Sequence, residues 1–264
     1  MTFDPTWLAL REPYDHAVRD PDLTRAFVDA LGEAPELIDL GSGTGSNLRY
    51  LAPYLPSAQR WICVDHDPQL LARLEMTKPA TADVMVEQLD LAKGLESLRL
   101  RPGMGVTSAA LLDLTSAAWL DRLARHCRDT AVLMTLSFDG RVIWDPIDPA
   151  DAAITMAFCR HQGSDKGFGP ALGPDAADYF VESLEHAGHR VRVATSDWVF
   201  GPADESILSA MVDGIAQAAG EFDPDLPLDA WRARRLLEIQ TSALSLTVGH
   251  LDLLGLPECL GLPE

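Results

Sequence analysis

Five short apolar runs, each followed by a stretch of a different period, constrain this chain more than any other feature. They are "ELIDL" (36–40), "RWICVD" (60–65), "VMVEQLD" (84–90), "MGVTSAALL" (104–112) and "TAVLMTLSF" (130–138). The first three carry an acid at or next to their carboxyl ends. Helix-like patterns occupy 45–54, 67–75 and 116–128, and in the last of these Trp119, Leu120, Leu123 and Cys127 share one face. Apolar runs too uniform to show one wet face, alternating with helices, predict a parallel sheet covered on both sides. Crossover handedness then favours a doubly wound α/β sandwich.

Beyond residue 140 the alternation loosens. A helix is predicted at 150–161, then a Gly/Pro-rich loop, then a helix from about 174 with Asp175 near its start and Gly188 as its stop. Residues 190–200 read as a strand, 203–219 and 228–240 as helices, and "ALSLTVGHLDLLGL" (243–256) as a late strand. No linker divides the chain. The expectation is one domain over 1–264, with a core at about 35–140, a substrate-side cap or lid at about 141–174, and a helical insertion at about 203–241 between the last two strands. That insertion is expected to pack beside the sheet or to form a dimer surface.

Charge narrows the partners. Lys plus Arg number 21 against 40 Asp plus Glu, a formal net charge of −19. A field of that sign repels phosphate backbones and anionic membrane surfaces, so neither nucleic acid nor a membrane is expected as a partner. The N-terminus has no basic stretch followed by an apolar core, and no run approaches the roughly 18 apolar residues of a membrane helix. Four scattered cysteines, Cys63, Cys127, Cys159 and Cys259, read as reduced thiols of a cytoplasmic protein. The seven histidines form no metal-ligand spacing, so no metal is expected.

The turn after the first run carries the chemistry. In "LIDLGSGTGSNLRYL" (37–51), Gly41 and Gly43 match a dinucleotide-binding fingerprint, but its third glycine position is Ser46, and the third glycine is instead Gly45. Asp39 precedes the turn. A bound phosphate disfavours a neighbouring carboxylate, whereas an ammonium group favours one. The turn therefore suits a ligand with a cationic end and no pyrophosphate.

Asp39-x-Gly41-x-Gly43-x-Gly45 resembles the first motif of class I S-adenosylmethionine-dependent methyltransferases. The resemblance continues through Asp65 at the tip of the second run, where the family puts an acid that accepts both ribose hydroxyls, with His66 beside it. Asp90 and Leu91 stand at the family's adenine position, and "SAALLDL" (108–114), beginning at Ser108, resembles the motif lining the cavity where methyl donor and acceptor meet. It implies a Rossmann-like, mostly parallel seven-stranded sheet with its last strand antiparallel, S-adenosyl-L-methionine as cofactor, and in-line transfer of a methyl group to a small-molecule acceptor oxygen or nitrogen. A homodimer is compatible with it.

Acceptor-side candidates come from loops. Asp113 can deprotonate an acceptor or hold a cationic one; its ordinary explanation is a helix N-cap. Asp139 precedes Gly140, and turn formation is its ordinary explanation. In "RHQGSDKGFGPALGP", His161, Lys166 and Phe168 can form a lid, with a plain surface connection as the alternative. Arg11 and Tyr14 fall in a helical segment that in the family often folds over the cofactor. Three other functions share such a sheet: an NAD(P)-dependent oxidoreductase, a non-catalytic cofactor-binding module, and an aminopropyl transferase. The first wants a glycine at 46 and a Tyr-x-x-x-Lys set, and neither is present.

Overall fold

In the computed structural model, residues 3–258 are described. Chain order is α1 (Pro5–Val18), α2 (Pro21–Leu31), β1 (Glu36–Leu40), α3 (Ser46–Leu51), β2 (Arg60–Asp65), α4 (Pro68–Thr77), β3 (Asp83–Gln88), α5 (Leu91–Gly94), β4 (Gly105–Ala109), α6 (Ala117–His126), β5 (Ala131–Asp145), α7 (Asp151–Gln162), α8 (Ala176–His186), β6 (His189–Thr195), β7 (Trp198–Phe200), α9 (Glu205–Phe222), α10 (Leu228–Gln240) and β8 (Ser245–Pro257). Helices α1, α2 and α4 all open on Asp-Pro. Asp4, Asp20 and Asp67 accept from backbone amides of the first turn, while proline supplies a preset φ where no N–H is needed.

The strands lie in the order β3-β2-β1-β4-β5-β8-β6, with β7 also paired to β8. β1 to β5 are mutually parallel where they pair, and β8 runs antiparallel to β5, β6 and β7. The run read as one strand at 190–200 is interrupted at Ser196 and Asp197, so eight strands are counted in place of seven. Register with β8 is the same on both sides of the break. The cause is local: the Asp197 carboxylate accepts the His250 N–H at 3.2 Å, taking a donor that strand pairing would use.

β5 runs to Asp145, past the Asp-Gly turn expected at residue 139. It gains one residue on β8 between Met134 and Ser137 and two more between Phe138 and Val142. The first bulge puts Leu136 at φ 56, a conformation costly for a side chain of that size, and the Asp252 carboxylate holds its N–H at 2.9 Å.

Three apolar clusters follow from this layout. One face of the sheet is covered by α6 and α8 through Trp119, Leu120, Leu123, Phe180 and Leu184. The other is covered by α2, α3 and α4 through Phe27, Leu48 and Leu74. Each such fully buried side chain contributes about 1.5–3 kcal/mol. The third cluster lies where β5, β8 and β7 extend past the sheet: Trp144, Ile154, Trp198, Met211, Ile215 and Trp231 draw α7, α9 and α10 around this three-stranded arm. The cap and the insertion thus share one core. Arg235 anchors it, fully buried, with its guanidinium on Asp151 at 2.5 Å and over the Trp144 ring at 4.9 Å.

Cys63 and Cys127 are buried and Cys159 half-buried, all as free thiols, while Cys259 lies outside the described residues. Among the described residues no helix is long and apolar enough to cross a membrane.

Candidate functional site

Because β2 and β3 are laid to one side of β1, and β4 and β5 to the other, the loops leaving β1 and β4 diverge. A crevice opens at their carboxyl ends. It holds a cavity of about 870 Å³, floored by the glycine turn and the loop after β4, and roofed by α1, the 161–168 segment and α9.

The glycine turn is left-handed at Gly41, Gly43 and Gly45. At Gly45 a Cβ would also stand 2.8 Å from Leu74 Cγ, so α3 can approach α4 only with a bare backbone here. The Gly43 N–H donates to Asp65 Oδ2 at 2.8 Å, and the Asp67 N–H to Asp65 Oδ1 at 2.9 Å. Asp65 therefore pins the turn to the end of β2 and, with four lone-pair positions, keeps capacity for a ligand's hydroxyls.

Asp39 lies behind this turn, outside the cavity lining. Its Oδ1 accepts from Asn47 Nδ2 at 2.6 Å, its Oδ2 has no partner, and burial lifts its pKa to about 7. Arg19, equally buried, does line the cavity. Its Nη1 donates to Asn47 Oδ1 at 2.9 Å and its guanidinium lies 4.2 Å over the Tyr50 ring. Its Nε is 3.9 Å from Asp252 Oδ2, and neither Nε nor Nη2 has a hydrogen-bond partner. A buried donor without an acceptor costs about 1–3 kcal/mol. An incoming carboxylate would relieve Arg19, and an ammonium group would meet the field of Asp39. The pair fits the aminoacyl end of S-adenosylmethionine.

On the other side of the turn, Asp65, His66, Asp90 and Leu91 all line the cavity. Asp90 also caps α5, accepting from the Ala92 N–H at 3.1 Å and from Lys93 Nζ at 2.7 Å, and this holds its pKa below the usual range. Phe168 comes down on Trp119, ring centroids 5.1 Å apart, and the Trp119 indole donates to the Leu91 carbonyl at 2.9 Å. His161 pairs with Glu221 at 3.1 Å, and Lys166 lies 3.4 Å from the His161 ring.

The same cavity is also lined by Asp113, Arg11 and His250. Asp113 sits in a tight turn after β4, buried, with Oδ1 unpartnered and its pKa lifted to about 6 by burial. It is not the helix cap of the ordinary reading, since Ser116 caps α6. Arg11 Nε donates to Asp15 Oδ2 at 2.8 Å beneath its guanidinium's contact with Trp198, 5.0 Å from the ring centre. His250 stacks on Trp198 at 4.5 Å and lies 6.3 Å from Phe138.

Four expected site residues do not reach the cavity lining. Asp39 lies behind the turn, and Gly45, within it, faces Leu74 of α4. Ser108 is buried, donating to the Leu40 carbonyl at 2.6 Å to tie β4 to β1. Asp139 is turned to Arg141 at 2.7 Å, because the second β5 bulge points it there. Tyr14 also faces away, bonding Asp204 at 2.8 Å. Sequence reading missed Arg19, Asn47, His250 and the α9 wall of Met211 and Ile215. Two signals were available: the i, i+4 series Trp7-Arg11-Asp15-Arg19, which runs along α1 to its C-cap, and polar His250 and Asp252 at alternate positions of β8. Among the described residues no group of side chains is arranged to hold a metal ion.

No protein-family model matches the chain, and no curated protein does. Solved structures do. A cyclopropane-fatty-acyl-phospholipid synthase-like protein from Lactobacillus casei ATCC 334 aligns at 13% identity and TM-score 0.52, over 93% of this chain and 99% of that one. An S-adenosylmethionine-dependent methyltransferase from Geobacter sulfurreducens, in complex with S-adenosyl-L-homocysteine, aligns at 15% identity and TM-score 0.46, over 97% and 100%. Haemonchus contortus phosphoethanolamine N-methyltransferase 2 aligns at 15% and 0.45, over 89% of this chain, which spans about half (52%) of that one. Strand order, antiparallel β8 and a glycine turn at the switch point give this chain the Rossmann-like fold of class I methyltransferases.

Proposed function

We propose that this protein is an S-adenosylmethionine-dependent methyltransferase acting on a small-molecule oxygen or nitrogen acceptor. One observation carries the reading: buried Arg19 with unpartnered donors faces the glycine turn, in front of buried Asp39 with an unpartnered oxygen. Open guanidinium donors and an open carboxylate oxygen at one turn suit a zwitterionic aminoacyl tail and do not suit a pyrophosphate. In this reading Asp65 takes the ribose hydroxyls, Asp90 and Leu91 border the adenine, and Phe168 with Lys166 closes over it.

When bound, the cofactor supplies a methyl group already activated on a sulfonium. What remains for the chain is to exclude water, align the acceptor and accept a proton. Alignment alone is worth about 7–11 kcal/mol of barrier. The roof of α1 and α9 shields the acceptor, and Asp113, buried in the cavity wall with Oδ1 unpartnered, accepts the proton. The net charge of −19 favours a small metabolite over nucleic acid.

Calorimetry with S-adenosylmethionine, S-adenosylhomocysteine and NAD(P)H in parallel tests the reading. The first two are expected to bind and the third to give no heat, and Asp65→Ala is expected to weaken both nucleosides. Binding of NAD(P)H alone, or of nothing, overturns it.

A further inference from the structure

Besides the glycine turn, the cavity is lined by three polar side chains that packing leaves incompletely satisfied. Asp113 is 8% exposed and its Oδ1 has no partner. His250 is 5% exposed, and its Nδ1 lies 3.1 Å from the Val248 carbonyl. A carbonyl only accepts, so Nδ1 carries the hydrogen, and Nε2 presents a lone pair with no partner among the described residues. Burial holds the ring's pKa down to about 3, so the imidazole stays neutral. Arg11 spends Nε on Asp15, and its two Nη groups have no hydrogen-bond partner among the described residues. Arg11 and His250 both pack against the Trp198 ring, at 5.0 and 4.5 Å, and all three residues line the same cavity. Phe138, Phe158, Met211, Ile215 and Val248 wall that space.

A ligand satisfying this set must donate to two acceptors and accept from a guanidinium. A hydroxyl brings one hydrogen and satisfies one acceptor; an amine brings at least two. Arg11 then calls for an anionic oxygen, with a planar carboxylate matching its paired Nη groups. We propose that Asp113, His250 and Arg11 form the acceptor subsite, and that it binds an apolar α-amino acid, amine on Asp113 and His250, carboxylate on Arg11. This rests on the methyltransferase reading and names its acceptor. Asp113 is also the group placed to take the amine's proton.

The test is calorimetry on the protein saturated with S-adenosylhomocysteine, which cannot react. The probes are L-leucine, L-methionine and L-phenylalanine, each beside its deaminated acid and its decarboxylated amine. At least one amino acid is expected to bind, with its acid and its amine each at least about tenfold weaker, since each has lost one charge-assisted hydrogen bond. Asp113→Asn should shrink the penalty for removing the amine. Arg11→Met should shrink the penalty for removing the carboxylate, with Arg11→Lys retaining part of it. Homocysteine-nucleoside binding should be unchanged in all three variants, which also reports that each is folded. If the nucleoside itself fails to bind the unmodified protein, the cofactor reading falls. If it binds and no amino acid follows, or the amines bind as well as the amino acids, only the subsite assignment falls. Loss of nucleoside binding in a folded Arg11→Met would move Arg11 to the cofactor and equally overturn it.

Discussion

Asp39→Asn should make the ligand-free protein more stable at pH 8 while weakening its cofactor affinity. Asp39 is 1% exposed, and burial raises its pKa from 3.8 to about 7. Below pH 3.8 both folded and unfolded chains hold the proton. Between 3.8 and 7 the folded chain keeps a proton that the unfolded chain has released, so stability falls as pH rises. At about 1.4 kcal/mol per unit, the full cost of ionising this carboxyl in place reaches about 4 kcal/mol by pH 8. Asparagine keeps the shape and the Asn47 contact and never ionises, but leaves an amide hydrogen unpaired where Oδ2 was, a cost of about 1–3 kcal/mol. The variant is therefore expected to gain about 1–3 kcal/mol over the parent at pH 8 and to lose that advantage near pH 5. Urea titrations of both proteins from pH 5 to 8 read the difference directly. Calorimetry with S-adenosylhomocysteine should give at least about tenfold weaker binding in the variant, the worth of one pKa unit of charge attraction. A variant whose relative stability does not climb with pH would refute the burial argument. A variant that binds the nucleoside as well as the parent would refute the role of the charge.

Gly45→Ala forces a side chain onto a residue at φ 86 with Leu74 2.8 Å away, and should lower stability by about 1–3 kcal/mol in the same urea assay. Turnover should rise with pH through about 6 as Asp113 ionises, and Asp113→Asn should remove that limb from the pH–rate profile along with most of the rate. Phe168→Ala removes the ring resting on Trp119, and the Kd for S-adenosylhomocysteine is expected to rise severalfold by calorimetry with little change in melting temperature.

Regular alternation made the sheet legible. Each of β1 to β5 carries its own apolar run, and the punctuating Asp-Pro and glycine positions are local codes read one element at a time. The break between β6 and β7 was not legible, because it depends on the Asp197 carboxylate reaching a strand partner 53 residues away. The same limit hid the fate of Asp139. Locally Asp-Gly is a turn, yet pairing with β8 carries β5 six residues beyond Asp139 and turns the carboxylate onto Arg141. At the site, the residues found from sequence are those whose role is set by the turn that holds them: Gly41, Gly43, Asp65, Asp90. Those missed, Arg19 and His250, come from the C-cap of α1 and from β8, far apart in sequence, and meet the site only through the closed sheet.

That division has a physical consequence for the cavity. The cofactor half is built from the first strands and their turns, elements that pack on both sheet faces and have little freedom. The acceptor half hangs on the β5–β8 arm and on α1, held by a few side-chain pairs: Arg49 to Glu12 at 2.6 Å, His16 to Ser46 at 3.1 Å, Tyr14 to Asp204 at 2.8 Å. Partly exposed pairs of this kind are each worth little, about 0–1 kcal/mol. Opening α1 breaks these pairs together with the packing of Trp7 on Trp198 and Tyr14 on Phe200, and so costs less than opening the sheet.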